Sequence, residues 1–123
     1  MSLEQFQKQS YLNIETFRKS GQGVKTPVWF AQDGDWLYVW TQADSGKAKR
    51  IRNNDTVNIV PSTGTGEPLS EWIPARAQAD DSPDAIKHVE KLMKKKYGFI
   101  FSVFGFLGRL RSGSKYISIK IQV

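Results

Sequence analysis

Thr41-Gln42-Ala43-Asp44-Ser45-Gly46-Lys47-Ala48-Lys49-Arg50-Ile51-Arg52 decides how the rest of the chain is read. It follows an apolar run, Trp36-Leu37-Tyr38-Val39-Trp40, that reads as a strand. Ser45 stands where a helix would begin, and its side chain can cap the free N–H groups of the first turn. The same N–H groups can instead hold a phosphate at the positive end of the helix dipole. Gly46 lets an anion approach the backbone. Lys47, Lys49, Arg50 and Arg52 put four cations within six residues. A capped surface helix with solvated charges is the other reading. The stretch fits no standard phosphate-loop pattern, so its spacing leaves both open.

Working outward, the chain reads as a series of short strands. Tyr11 to Arg18 alternates through Leu12, Ile14 and Thr16. Lys19 to Gly23 is a turn by composition, and Val24 to Ala31 completes a hairpin. Pro27 sits inside that second strand and cannot donate to a ladder, which marks an edge, a bulge or a place where a ligand substitutes for a neighbour. Asp33-Gly34-Asp35 is a tight turn into the Trp36–Thr41 strand. Thr56 to Pro61 and Glu71 to Ala79 give two more strands. Tyr116 to Val123 closes the set, with Ile117, Ile119, Ile121 and Val123 on one face.

Helices are few. Leu3 and Phe6 suggest a short one near the start. Ser82 caps a second, with Pro83 in its first turn, Ile86, Val89, Leu92 and Met93 on its buried stripe, and Lys94-Lys95-Lys96 in its last turn before Gly98. Phe99 to Arg111 carries Phe99, Val103, Phe106 and Leu110 at helical spacing but is weakened by Gly105 and Gly108, which predicts a short, bent amphipathic helix. Six strands with few helices, at the rim, predict a mainly β protein: a small, six-stranded antiparallel barrel in one domain, 1–123.

Composition narrows the chemistry. The absence of cysteine excludes disulfides, thiolate metal sites and cysteine nucleophiles, and the single histidine, His88, cannot build a histidine metal centre. No metal site and no catalytic side chain are expected. Four Trp, four Tyr and seven Phe favour a β-rich core or an interface. A net charge of +6 suits phosphorylated or polyanionic ligands. Such a composition also suits single-stranded nucleic acid, but the aromatics fall at core spacing, not on one face with the lysines, so nucleic acid is not an expected partner. The longest apolar run is too short for a bilayer, and the N-terminus lacks a signal layout. The expectation is a soluble, cytoplasmic protein with no membrane span.

In order along the chain, Thr16-Phe17-Arg18, Lys25-Thr26-Pro27-Val28-Trp29-Phe30, Trp40-Thr41, Ser45-Gly46-Lys47-Ala48-Lys49-Arg50, Asn53-Asn54 and Val60-Pro61 resemble the pyridoxamine 5′-phosphate oxidase-like superfamily, the flavin-binding split barrels. Within it they are most similar to the branch dependent on the deazaflavin coenzyme F-420. The resemblance is stronger from Leu12 to Ala79 than beyond. It implies an FMN-binding split barrel, a homodimer with coenzyme F-420 or FMN at its interface, and hydride transfer to or from a small organic substrate. A carrier that binds the cofactor without a dedicated substrate is the alternative.

The resemblance also implies site residues. Lys25, Thr26, Pro27, Val28 and Trp29 would lie along the ring, and Trp40 and Thr41 would contact the cofactor chain. Trp29 and Trp40 are equally readable as core. Ser45, Gly46 and Lys47 match the Ser-Arg-Lys phosphate clamp, with Gly46 in the arginine position and Lys49 or Arg50 as its replacement. Pro61 and Ser62 would reach the cofactor from the partner subunit. The segment with which pyridoxamine oxidases hold their vitamin substrate has no counterpart here, so vitamin B6 oxidation is not expected.

Overall fold

Strands that alternate apolar and polar residues bury only one face each, and curling the sheet brings those faces together. The computed structural model describes residues 3–103 and 115–123. Its strands are β1 (Tyr11–Phe17), β2 (Gly23–Trp29), β3 (Ala31–Asp33), β4 (Trp36–Gln42), β5 (Thr56–Ser62), β6 (Ile73–Asp80) and β7 (Tyr116–Gln122). Helix α1 (Gly46–Asn53) joins β4 to β5, α2 (Pro83–Tyr97) follows β6, and a single 3-10 turn, Glu4–Phe6, precedes β1. All paired strands are antiparallel, in the order β2-β1-β5-β6-β7-β4-β3.

The two edge strands of this sheet, β2 and β3, are consecutive in the chain and separated only by Phe30. One bent segment therefore pairs with β1 at its start and with β4 at its end, from Phe17↔Gly23 to Asp33↔Trp36. That wraps the sheet into the expected split barrel. The stretch read as one strand, Val24 to Ala31, is thus two strands, which raises the count from six to seven. The break has a local cause. The Phe30 N–H donates to the Tyr97 hydroxyl at 3.0 Å, and the Phe30 carbonyl accepts from the Lys96 ammonium at 2.7 Å with that hydroxyl oxygen 2.8 Å away. Side chains of α2 take over from a neighbouring strand at this one residue, so both its backbone groups stay satisfied.

Two apolar layers result. Inside the barrel, Leu12, Ile14, Leu37, Val39, Val57, Ile59, Ile117, Ile119 and Ile121 are all buried. Each such side chain contributes about 1.5–3 kcal/mol by leaving water. On the outer face, α2 lays Val89 and Met93 against Ala31, Tyr38 and Phe101, and Trp29, Trp36, Trp40 and Tyr97 pack around them. The helix begins as expected: the Ser82 side chain accepts from the Ala85 N–H, Pro83 stands in the first turn, and Gly98 ends it at φ 65°. Residues 99–103 are helical, and the remainder of the helix expected over Phe99 to Arg111 lies outside the described residues. No helix among the described residues is long and apolar enough to cross a membrane.

Candidate functional site

The barrel lining changes character at one end. Along β1 and β4 the inward positions run Leu12, Ile14, Thr16 and Leu37, Val39, Thr41, so each strand finishes on a buried hydroxyl. Helix α1 lies across that end with Ala48 and Ile51 in the core. Ser45 caps it: the backbone is extended at φ −65° and ψ 155°, and its Oγ accepts from the Ala48 N–H at 3.2 Å. The Thr41 hydroxyl accepts from the Lys47 ammonium at 3.2 Å and itself donates toward the Ser45 Oγ at 3.5 Å. The Arg50 Nε donates to the Thr16 Oγ1 at 2.6 Å. Two buried threonines therefore aim two cations at the start of one helix.

Gly46 explains how Arg50 gets there. A Cβ at position 46 would stand 2.7 Å from the Arg50 Nη1, so the guanidinium lies against the bare α-carbon. Of the two expected replacements for the arginine at position 46, Arg50 is the one whose side chain lies against Gly46, and Lys49 is exposed. Arg52 points elsewhere and donates to the Ala43 carbonyl at 2.9 Å.

The electrostatics of this end are one-sided. Burial holds the Lys47 ammonium below its ordinary range, and the neighbouring Arg50 lowers it further. Burial and then Arg18 lower Arg50 in the same way. Lys47 also stands in the first turn, at the positive end of the helix dipole. Cations that depress one another at a helix start gain by binding an anion.

Strand β2 begins beside this cluster, with Val24 opposite Thr16 and Lys25 opposite Glu15. The exposed Lys25 places its ammonium 5.2 Å from the centre of the Trp72 ring. Thr26 and Val28 stand opposite the inward Ile14 and Leu12. Pro27 stands opposite the outward Asn13, where the Asn13 Nδ2 donates to the Gly66 carbonyl at 2.8 Å and a Cβ on Gly66 would lie 3.7 Å from the proline ring. The 63–67 loop thus covers that face of Pro27. Among the described residues β2 pairs with β1 alone, which leaves its other edge open.

The two tryptophans are engaged by the protein's own rings. Trp29 stacks on Tyr97 at 4.4 Å, and Trp40 stacks on Tyr116 at 3.8 Å with Phe101 edge-on at 4.7 Å. Adjacent strand residues face opposite ways, so the Trp40 side chain lies on the outer face and the Thr41 side chain on the inner. Pro61 and Ser62 are buried beside Leu12 and Tyr11, at the end of β5 remote from α1, and the Ser62 hydroxyl donates to the Thr63 carbonyl at 3.0 Å. The structure thus joins Thr41, Ser45, Gly46, Lys47 and Arg50 at one end of the barrel, and leaves Lys49, Pro61 and Ser62 apart from them within the chain. Thr16 and Arg18 belong to the cluster although they were not among the expected site residues. The signal was available, because Thr16 continues the inward series of β1.

No protein-family model matches the chain, and no curated protein matches it in sequence. Solved structures do match in shape. The heme storage protein HutZ from Vibrio cholerae superposes with a TM-score of 0.69 at 18% identity, covering 97% of this chain and 84% of that one. A candidate pyridoxamine 5′-phosphate oxidase from Listeria innocua gives 0.65 at 16% identity over 97% and 87%. An F-420-H2-dependent reductase gives 0.64 at 12% identity over 92% and 94%. These proteins differ in what their names say they do and agree in the curled antiparallel sheet. The chain has the split-barrel fold of the pyridoxamine 5′-phosphate oxidase-like proteins.

Proposed function

We propose that the chain is an oxidoreductase that binds FMN or the deazaflavin coenzyme F-420 at a homodimer interface. The observation that carries this reading is the cation cluster at α1. Lys47 and Arg50 are held by Thr41 and Thr16 at a capped helix start, with a glycine where a side chain would intrude. A phosphate or phosphodiester matches that donor set: backbone N–H groups, an ammionium-type point charge and a planar guanidinium. Each charge-assisted bond contributes about 1.5–3 kcal/mol when formed.

The flat head of the cofactor would lie along the free edge of β2, from Lys25 to Trp29. Pro27 offers no N–H there, so its neighbours' backbone groups would meet the ring edge. Pro61 and Ser62 lie across β1 from Val28 and Trp29 and about 20 Å, the length of a seven-residue strand, from the α1 cluster; they would serve the cofactor of the other subunit. When bound, the cofactor supplies the hydride chemistry. The chain's own residues bind, orient and neutralise, and none is assigned a proton.

Titration followed by visible absorption tests the proposal. One of the two cofactors is expected to bind saturably, and Lys47→Ala is expected to weaken it about tenfold or more, since a decade corresponds to 1.4 kcal/mol. A Kd unchanged by Lys47→Ala would remove the helix start from the site.

A further inference from the structure

A second cavity lies on the far side of the Phe30 break, between the 3-10 turn, β3 and the last turns of α2. It measures about 470 Å³, and Phe6, Phe30, Leu92, Lys8, Lys95 and Lys96 define its character. That volume falls within the range of small-molecule sites, roughly 300–1,000 Å³. Its floor is apolar: Phe6 and Phe30 are buried edge-to-face at 5.8 Å, and the half-buried Leu92 forms a wall.

Its rim is cationic and comes from two elements. Leu92, Lys95 and Lys96 share one face of α2 at i, i+3 and i+4. Lys8 reaches it from the opposite wall with its backbone at φ 63°, a left-handed conformation unusual for a residue with a side chain. Lys95 and Lys96 also suit the negative end of their helix, but that does not account for Lys8. None of the three lysines makes an ion pair among the described residues. Lys96 donates to the Phe30 carbonyl and lies 3.6 Å from the centre of the Phe30 ring, which leaves ammonium hydrogens to spare. The acid that lines the cavity, Asp33, is at its other end and bonded to His88 at 3.0 Å.

We propose that this groove is a binding site for an organic anion, a carboxylate on an aromatic or aliphatic body. The body rests on Phe6, Phe30 and Leu92, and the carboxylate sits among Lys8, Lys95 and Lys96. Asp33 repels the carboxylate from the other end and so fixes the orientation. Burial brings the Lys96 ammonium down to about 8, and a carboxylate beside it would offset that burial. In the other large cavity, about 550 Å³ and lined by Arg52, Arg76 and Lys120, a carboxylate, Asp55, already stands among the cations. Arg76 pairs with Asp55 at 3.1 Å, Lys120 lies 3.8 Å over the Trp36 ring, and Arg52 holds the Ala43 carbonyl.

Calorimetry with phenylbutyrate and its neutral counterpart phenylbutanol, read together with methyl NMR spectra, tests the site. Phenylbutyrate is expected to bind one per chain and to shift the Leu92 methyl signals, with phenylbutanol at least tenfold weaker. The double variant Lys8→Met, Lys95→Met should lose at least tenfold. Leu92→Trp, which fills the groove, should abolish binding without lowering the melting temperature. Lys47→Ala should leave phenylbutyrate binding intact, which separates this site from the one at α1. Equal affinity for acid and alcohol, no saturable binding, or shifts that map elsewhere would overturn the proposal.

Discussion

Lysine meets the barrel at two helix ends, and the two ends use it oppositely. At the start of α1, Lys47 in the first turn and the Arg50 guanidinium, laid back against Gly46, donate to threonine hydroxyls. At the finish of α2, Lys96 stands at the negative end and is tied to the Phe30 carbonyl, next to the Tyr97 hydroxyl. The first arrangement gathers like charges. The second completes a backbone break that the barrel needs in order to close. The comparison teaches that charge at a helix end should be judged by the sign of that end and by what its cations already hold.

The α2 end should therefore fail first when cut. Tyr97→Phe keeps the ring on Trp29 but deprives the Phe30 N–H of its acceptor and the Ser10 carbonyl of its donor at 2.6 Å. An unsatisfied buried group costs about 1–3 kcal/mol. Urea unfolding should show a loss of that size, with cofactor affinity unchanged. A variant as stable as the parent would mean that the break at Phe30 holds without Tyr97.

At the α1 end the same kind of cut should leave stability alone. Gly46→Ala offers the sharpest version, because alanine suits a helix better than glycine while its methyl would displace the Arg50 guanidinium. The expected result is equal or slightly higher stability with weaker cofactor binding, by a smaller factor than for Lys47→Ala. Parental affinity in Gly46→Ala would show that Arg50 does not need the bare α-carbon to reach its position.

The difference between the ends also sets how much could be read from sequence. The α1 end was legible because its parts are local: Ser45, Gly46, Lys47 and Arg50 fall within six residues, and capping is a short-range rule. The alternation of β1 and β7 was legible for the same reason. The break at Phe30 was not, because the groups that make it lie 66 and 67 residues further along the chain. Nothing in Trp29-Phe30-Ala31 marks the residue at which one strand changes partners. Trp40 lies between these cases. Strand alternation already set its side chain opposite to Thr41, but its stacking on Tyr116 depends on β7 being the neighbour of β4.

The smallest expected effect is a pH dependence, and it distinguishes the ends by an ionisable group that the fold itself uses. Burial holds Lys96 at about 8, against an ordinary value of 10.5. Below pH 8 the ammonium is present in both folded and unfolded chains, and the burial penalty is fully felt. Between about pH 8 and 10.5 the folded chain releases the proton while the unfolded chain keeps it, so stability rises with pH. Burial pushes the Tyr97 hydroxyl the other way, well above 10, and that makes stability fall once an unfolded tyrosine begins to ionise. The contribution of Lys96 is therefore clearest between pH 8 and 10. Unfolding of the parent and of Lys96→Met across that interval should give a stability difference that moves in favour of the parent as pH rises. A constant difference would place the Lys96 ammonium in water, free of the Phe30 carbonyl and ring.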